Sequence, residues 1–202
     1  GPTHHGAFDL SFLRVVPGLT IFVPKDEAEL QTLLATALTM PGPVAIRYPR
    51  GEGLGVPLPE PLLPLPAAGP WIEVLSEGTD VLLLGTGTGV EVARRAALLL
   101  RDHGVEATVA NVRRVSPPDR GALSALLEAH PAVVTVEENT IVGGFGSGVL
   151  ELLQEQRLLR PAAVVGLPAA FVTHGDLAGL HREIGFTSEV VADRALGLVR
   201  AE

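Results

Sequence analysis

Apolar residues follow two different rhythms along this chain. Residues 19–23 (L-T-I-F-V) form a short apolar run closed by Pro24, which predicts a strand. Ala28, Leu30, Leu33, Leu34, Ala37 and Leu38 then recur at helical spacing and predict one apolar stripe. Asp26 is placed to accept hydrogen bonds from that helix's first-turn amides, with Glu29 three residues on as in a capping box. P-G-P at 41–43 ends the helix, and residues 44–48 predict a second buried strand. A strand, helix, strand unit of this length builds a parallel pair.

The rhythm stops between Pro49 and Pro70, where prolines also stand at 57, 59, 61, 64 and 66. Proline fixes its own φ and donates no hydrogen bond, so residues 51–70 are expected to be a stiff, extended linker. Alternation then resumes. Residues 71–75 predict an edge strand and 81–84 a short buried one. A helix is expected over 91–103, ended by Gly104, followed by a strand over 106–112 and a helix over 119–129. A strand over 132–136, a helix over 147–156 capped by Ser147, a strand over 162–167 and two short helices over 177–200 complete the pattern. The fold class expected is α/β: a partial parallel sheet in residues 1–50 and a doubly wound domain, with helices on both faces of its sheet, in residues 71–202.

Composition narrows the functions open to such a chain. Its 202 residues are 47% apolar, enough for a real core. A formal charge of -8, with no basic cluster beyond the doublets Arg94–Arg95 and Arg113–Arg114, argues against nucleic acid as a partner. The absence of cysteine excludes disulfides and thiolate chemistry and suits a cytoplasmic protein. No apolar run approaches the roughly 18 residues of a membrane span.

Four segments carry candidate chemistry. G-T-G-T-G at 85–89 follows a strand and opens a helix, a setting that binds phosphates in some folds. The acidic residue a dinucleotide site needs about 20 residues on is replaced by Asn111-Val112-Arg113, so a tight turn with close helix packing is the expected role. V-E-E-N-T-I-V-G-G-F-G-S-G-V at 136–149 sets two acids before a glycine-rich loop. Adjacent strand residues point to opposite faces, so Glu137 and Glu138 are expected to be structural or interfacial rather than an acid and base pair. Thr3-His4-His5-Gly6 holds two imidazoles whose divergence makes a two-histidine metal site improbable; Gly1-Pro2 alone also matches what tag removal leaves. R-Y-P-R-G at 47–51 puts two arginines at the end of a parallel strand, where guanidinium forks meet phosphates and carboxylates or, equally, form surface salt bridges.

Taken together, T-H-H-G-A-F-D-L-S-F-L-R, P-K-D-E-A-E-L, A-I-R-Y-P-R-G, V-E-E-N-T-I-V-G-G-F-G-S-G-V and G-L-P-A-A-F closely resemble the C-terminal third of the 1-deoxy-D-xylulose-5-phosphate synthase family, in the thiamine-diphosphate-dependent transketolase superfamily. The resemblance covers essentially the whole chain. It implies the latter half of a pyrimidine-binding domain in residues 1–50 and a transketolase C-terminal domain in 71–202. It implies a decarboxylating condensation of pyruvate with glyceraldehyde 3-phosphate, for isoprenoid, thiamine and pyridoxal precursors, in a homodimer using thiamine diphosphate and magnesium. His4 then matches the family's active-site histidine and Arg50 its phosphate-binding arginine, with His5 on the substrate side. No cofactor-binding or metal-ligating residue falls in this segment, so the chain alone is expected to be inactive and to need the missing N-terminal portion. Two other readings are the beta subunit of a 2-oxo-acid dehydrogenase decarboxylase and a non-catalytic assembly or dimerisation module.

Overall fold

A computed structural model describes residues 2–200. Gly1, Ala201 and Glu202 lie outside the described residues, and with Gly1 goes the reading of the first two residues as a tag remnant. A helical segment α1 (Asp9–Leu13) follows two short 3-10 turns. Strands β1 (Thr20–Phe22) and β2 (Val44–Ile46) flank α2 (Glu27–Ala37) and pair in parallel, Ile21 opposite Ala45, as the strand, helix, strand pattern requires. Residues 47–71 contain no helix or strand.

The larger sheet contains β3 (Ile72–Ser76), β4 (Val81–Thr86), β5 (Ala107–Val112), β7 (Val133–Thr140) and β8 (Ala162–Leu167), in the order β3-β5-β4-β7-β8. All neighbours are parallel except the edge strand β3, which runs against β5. Alternate residues of β4 face opposite cores. Val81 and Leu83 pack under α3 (Gly89–Arg101) and α7 (Ser188–Val199), whereas Leu82 and Leu84 pack under α4 (Arg120–Ala129) and α5 (Phe145–Gln156). The domain is therefore doubly wound, with α6 (Leu177–Ile184) leading into α7.

One element escapes the sequence pattern. β6 (Arg114–Ser116) continues from β5 after one residue, yet pairs antiparallel with β1, giving a small sheet of order β2-β1-β6. Ile21 and Val23 of the first unit accordingly share a core with Leu82, Leu84 and Phe145 of the second. A third cluster joins Phe22, Leu33 and Trp71; the Phe22 and Trp71 rings stack at 5.4 Å, and the Arg114 guanidinium lies 4.5 Å over the indole. The two sheets are thus covered by shared side chains as well as a shared strand.

Three expectations are corrected. The stripe on α2 is not one buried face: Leu33 is fully buried, while Leu34 and Leu38 are 51% and 83% exposed. The buried face runs through Glu29, Leu33 and Thr36, because polar groups of the second domain wait there for Glu29. Asp26 does cap α2, accepting from the Glu29 amide at 2.7 Å, but the Glu29 carboxylate accepts from the Lys25 amide rather than from that of Asp26. α5 begins at Phe145, not Ser147, because the Glu137 carboxylate caps it, accepting from the Phe145 and Gly146 amides at 2.7 and 2.8 Å. Ser147 instead ties the preceding loop, accepting from the Gly143 amide and donating to the Ile141 carbonyl.

Candidate functional site

The carboxyl ends of β2, β4 and β7 contribute to one polar cluster, the position at which parallel sheets present ligand-facing groups. Arg47, immediately after β2, extends its guanidinium to the second domain, where Nη2 donates to the Glu138 carbonyl and Nη1 lies 3.8 Å from Glu138 Oε2. Thr88, at the start of α3, donates to Oε2 at 2.7 Å, and His181 Nε2 on α6 lies 3.1 Å from Oε1. Burial works to raise the Glu138 carboxyl, but His181, Thr88 and Arg47 outweigh it and hold the group below the ordinary carboxylate range. Asp9 behaves oppositely: its own burial raises it, against the pull of Arg47.

Glu137 and Glu138 diverge, as neighbouring strand residues must. Glu137 has no exposed surface, and burial pushes its carboxyl up to about 7 despite the Gly146 and Phe145 amides and the charges of Arg14 and Arg47. G-T-G-T-G is a packing device. Gly87 turns with φ +56°, and a Cβ on Gly85 would lie 2.7 Å from Val90 Cα, so only glycine lets α3 approach β4 this closely.

His4 is exposed, with its Nδ1 3.1 Å from Thr3 Oγ1, which leaves Nε2 as the nitrogen it presents. His5 turns inward, packs against Phe8 and Phe171, and accepts from the Val172 amide through Nε2 at 3.3 Å. Arg50 lies exposed in the loop after β2, and among the described residues no hydrogen bond or ion pair joins it to either histidine. The two arginines of R-Y-P-R-G therefore differ: Arg47 is committed to Glu138, whereas among the described residues no hydrogen bond or ion pair engages Arg50. On one side of this loop a cavity of about 680 Å³ opens between the two domains, walled by Leu30, Tyr48, Leu54, Val92, Arg182 and Phe186. Among the described residues no three His, Asp or Glu side chains converge as metal ligands, and no helix is long and apolar enough to cross a membrane. Sequence reasoning read Thr88 only as part of the G-T-G-T-G turn and gave His181 no role; their shared partner, Glu138, is distant in the chain from both.

An α/β chain with a small mixed sheet and a larger, mostly parallel one, and with arginines at a strand end between them, belongs to a known class. Residues 71–191 match the transketolase C-terminal domain and residues 1–54 the transketolase pyrimidine-binding domain, and the chain belongs to the transketolase family. Among curated proteins it is 44% identical, over 97% of its length, to the 1-deoxy-D-xylulose-5-phosphate synthase of Microcystis aeruginosa (strain NIES-843 / IAM M-2473). It is 45% identical, over 98% of its length, to that of Thermomicrobium roseum (strain ATCC 27502 / DSM 5159 / P-2). It spans 31% and 32% of those two proteins. A solved split-gene transketolase, described as an inactive beta4 tetramer, superposes with TM-score 0.85 at 28% identity, over 99% of this chain and 64% of that one. A transketolase mutant from Pichia stipitis, at 19% identity and TM-score 0.73 over 100% of this chain and 28% of that one, shares the fold.

Proposed function

We propose that this chain is the C-terminal third of a 1-deoxy-D-xylulose-5-phosphate synthase: residues 1–50 complete a pyrimidine-binding domain, 51–70 link, and 71–202 form the transketolase C-terminal domain. The observation that carries the reading is the 44% identity to such a synthase over 97% of the chain. In this reading pyruvate loses its carboxylate as carbon dioxide, a new carbon–carbon bond forms to the aldehyde carbon of glyceraldehyde 3-phosphate, and the aldehyde oxygen takes up a proton. Arg50 binds the aldehyde's phosphate through its planar fork, a charge-assisted contact that lysine reproduces poorly. His4 exchanges a proton with bound substrate at Nε2, and His5, already packed, shapes the substrate side.

Thiamine diphosphate supplies the electron sink that decarboxylation requires. This reading assigns none of the residues named here to its binding site. The buried carboxylates Glu29, Glu137 and Glu138 are each engaged, by Arg113 and Asn111, by the α5 amides, and by Arg47, Thr88 and His181. The cofactor and magnesium belong in this reading to an upstream portion, in a cytoplasmic homodimer, and the chain alone is inactive. A separate gene for that portion is a second arrangement, favoured by the likeness to the split-gene transketolase.

The test is calorimetric titration of the purified chain with thiamine diphosphate and magnesium, followed by a pyruvate-dependent assay with and without that part of a curated relative which precedes its match to this chain. Turnover only in the mixture, lost on Arg50→Ala or His4→Ala, is expected. Micromolar binding with product from the chain alone would overturn its proposed inactivity, and full activity of both variants would overturn the site.

A further inference from the structure

Two carboxylates grip the Arg50 loop, one at each end. At its entry the Arg47 amide donates to the Phe22 carbonyl at 2.8 Å, fixing the start on β1, while the Arg47 side chain is held by Glu138. Glu138 is itself fixed by Thr88 and His181, from two further elements. At the exit the amides of Leu54, Gly55 and Val56 converge on the Glu27 carboxylate at 2.9, 2.5 and 2.9 Å. Glu27 opens α2, so the exit is tied to the same strand, helix, strand unit as the entry. Gly53 permits this: a Cβ there would lie 2.6 Å from Glu27 Cδ. Glu27's own amide, with those of Leu54, Val56 and Gly55, holds its carboxyl below the ordinary range against desolvation.

Between these anchors residues 48–53 are exposed, and Arg50 stands in the middle of them. An unanchored loop would lose backbone entropy at every residue when a substrate ordered it. A loop tied at both ends has lost most of that freedom before substrate arrives, which is how remote contacts improve binding.

We infer that Glu27 and Glu138 are positioning residues for Arg50: they hold the two ends of its loop so that the guanidinium meets a substrate phosphate already placed. The inference rests on the reading of Arg50 as the phosphate-binding arginine. Neither carboxylate touches substrate. Each acts through backbone or through Arg47.

Two measurements test it. In the chain by itself, hydrogen exchange of the Leu54, Gly55 and Val56 amides rises about tenfold in Glu27→Gln, equivalent to losing roughly 1.4 kcal/mol of protection. Gly53→Ala, which removes no charge but crowds Glu27, moves the same amides in the same direction. Unchanged exchange in both variants overturns the inference. In the enzyme assembled with its upstream portion, Glu27→Gln and Arg47→Met raise KM for the phosphorylated aldehyde, leaving kcat and the KM for pyruvate within about twofold, the pattern of lost ground-state and transition-state binding alike. Faster exchange without a change in that KM also overturns it. If Arg50→Ala leaves the KM for the phosphorylated aldehyde unchanged, the reading of Arg50 fails, whatever the exchange data show.

Discussion

Glu29 of α2 and Arg113, the residue between β5 and β6, form an ion pair across the two domains, with side chains only 4% and 12% exposed. Asn111 donates to the same Glu29 oxygen at 2.8 Å, and Glu73 pairs with Arg113 at 2.8 Å from the edge strand. Replacing Glu29 removes the buried carboxylate that Arg113 and Asn111 share, and leaves Arg113 with only the half-buried Glu73 as a counter-charge. Glu29→Gln is therefore expected to destabilise the chain by about 3 kcal/mol, read from the urea midpoint at constant slope. A change of only a few tenths would mean that the network is no more than a surface ion pair.

Trp71 is the chain's one tryptophan and lies 2% exposed against Phe22, at the contact between the sheets. Because β6 and this stack belong to both units, the two sheets should unfold together. Tryptophan emission and far-ultraviolet circular dichroism are expected to trace coincident urea transitions. An emission change that clearly precedes the loss of helix would show that the first unit detaches separately.

Glu137 predicts a pH dependence with a definite sign. Its carboxyl is raised from 4.5 to about 7 in the folded chain. The folded state thus favours the protonated acid, so its contribution is fully present below pH 4.5 and declines as the pH rises to about 7. Glu137→Gln should flatten the stability profile between pH 5 and 7. Glu138, held below the ordinary range, acts in a separate window: its stabilisation is present above the unfolded value and lost on acidification. A variant profile parallel to that of the unmodified chain between pH 5 and 7 would refute the assignment to Glu137.

Two glycines in helices should respond oppositely to alanine. At Gly89 a Cβ would overlap the Val136 carbonyl, whereas around Gly197 in α7 nothing lies within 4 Å. Helix propensity favours alanine by about 1 kcal/mol at either place, but backbone overlap costs roughly 1–3 kcal/mol or more. Gly89→Ala is expected to lower the melting temperature and Gly197→Ala to raise it, by thermal circular dichroism. Equal shifts would mean that α3 can withdraw from β7 freely.

Legibility in the sequence followed locality. Strands β4, β5 and β8 and helices α3, α4 and α7 came from runs and stripes whose burial is decided by their own side chains. The strand expected over 132–136 instead ends four residues later, at Thr140, because Glu137 and Asn139 look like a strand's end until α5 and α1 supply their partners. β6 was missed because R-V-S between Arg113 and Pro117 has no pattern of its own, and its pairing with β1 comes from far away in sequence. At the candidate site, spacing in R-Y-P-R-G does not tell Arg47 from Arg50; only the family resemblance singled out Arg50. The structure adds that Arg47 is engaged by Glu138, a residue whose direction is predictable from strand alternation but whose partner is not. The exposure of Leu34 and Leu38 has the same origin: spacing shows that a helix has a face, not which of two overlapping faces the rest of the molecule covers.

The shared strand β6 also determines where this polypeptide can be cut. The proline-rich stretch marks a boundary in sequence, yet β1 is hydrogen-bonded to β6 on its far side, and Glu29 and Phe22 reach across to Arg113 and Trp71. A protease that nicks residues 57–66 would leave two peptides still joined as one particle, separable by denaturant but not by dilution. The mechanical seam of the molecule and its compositional seam lie in different places.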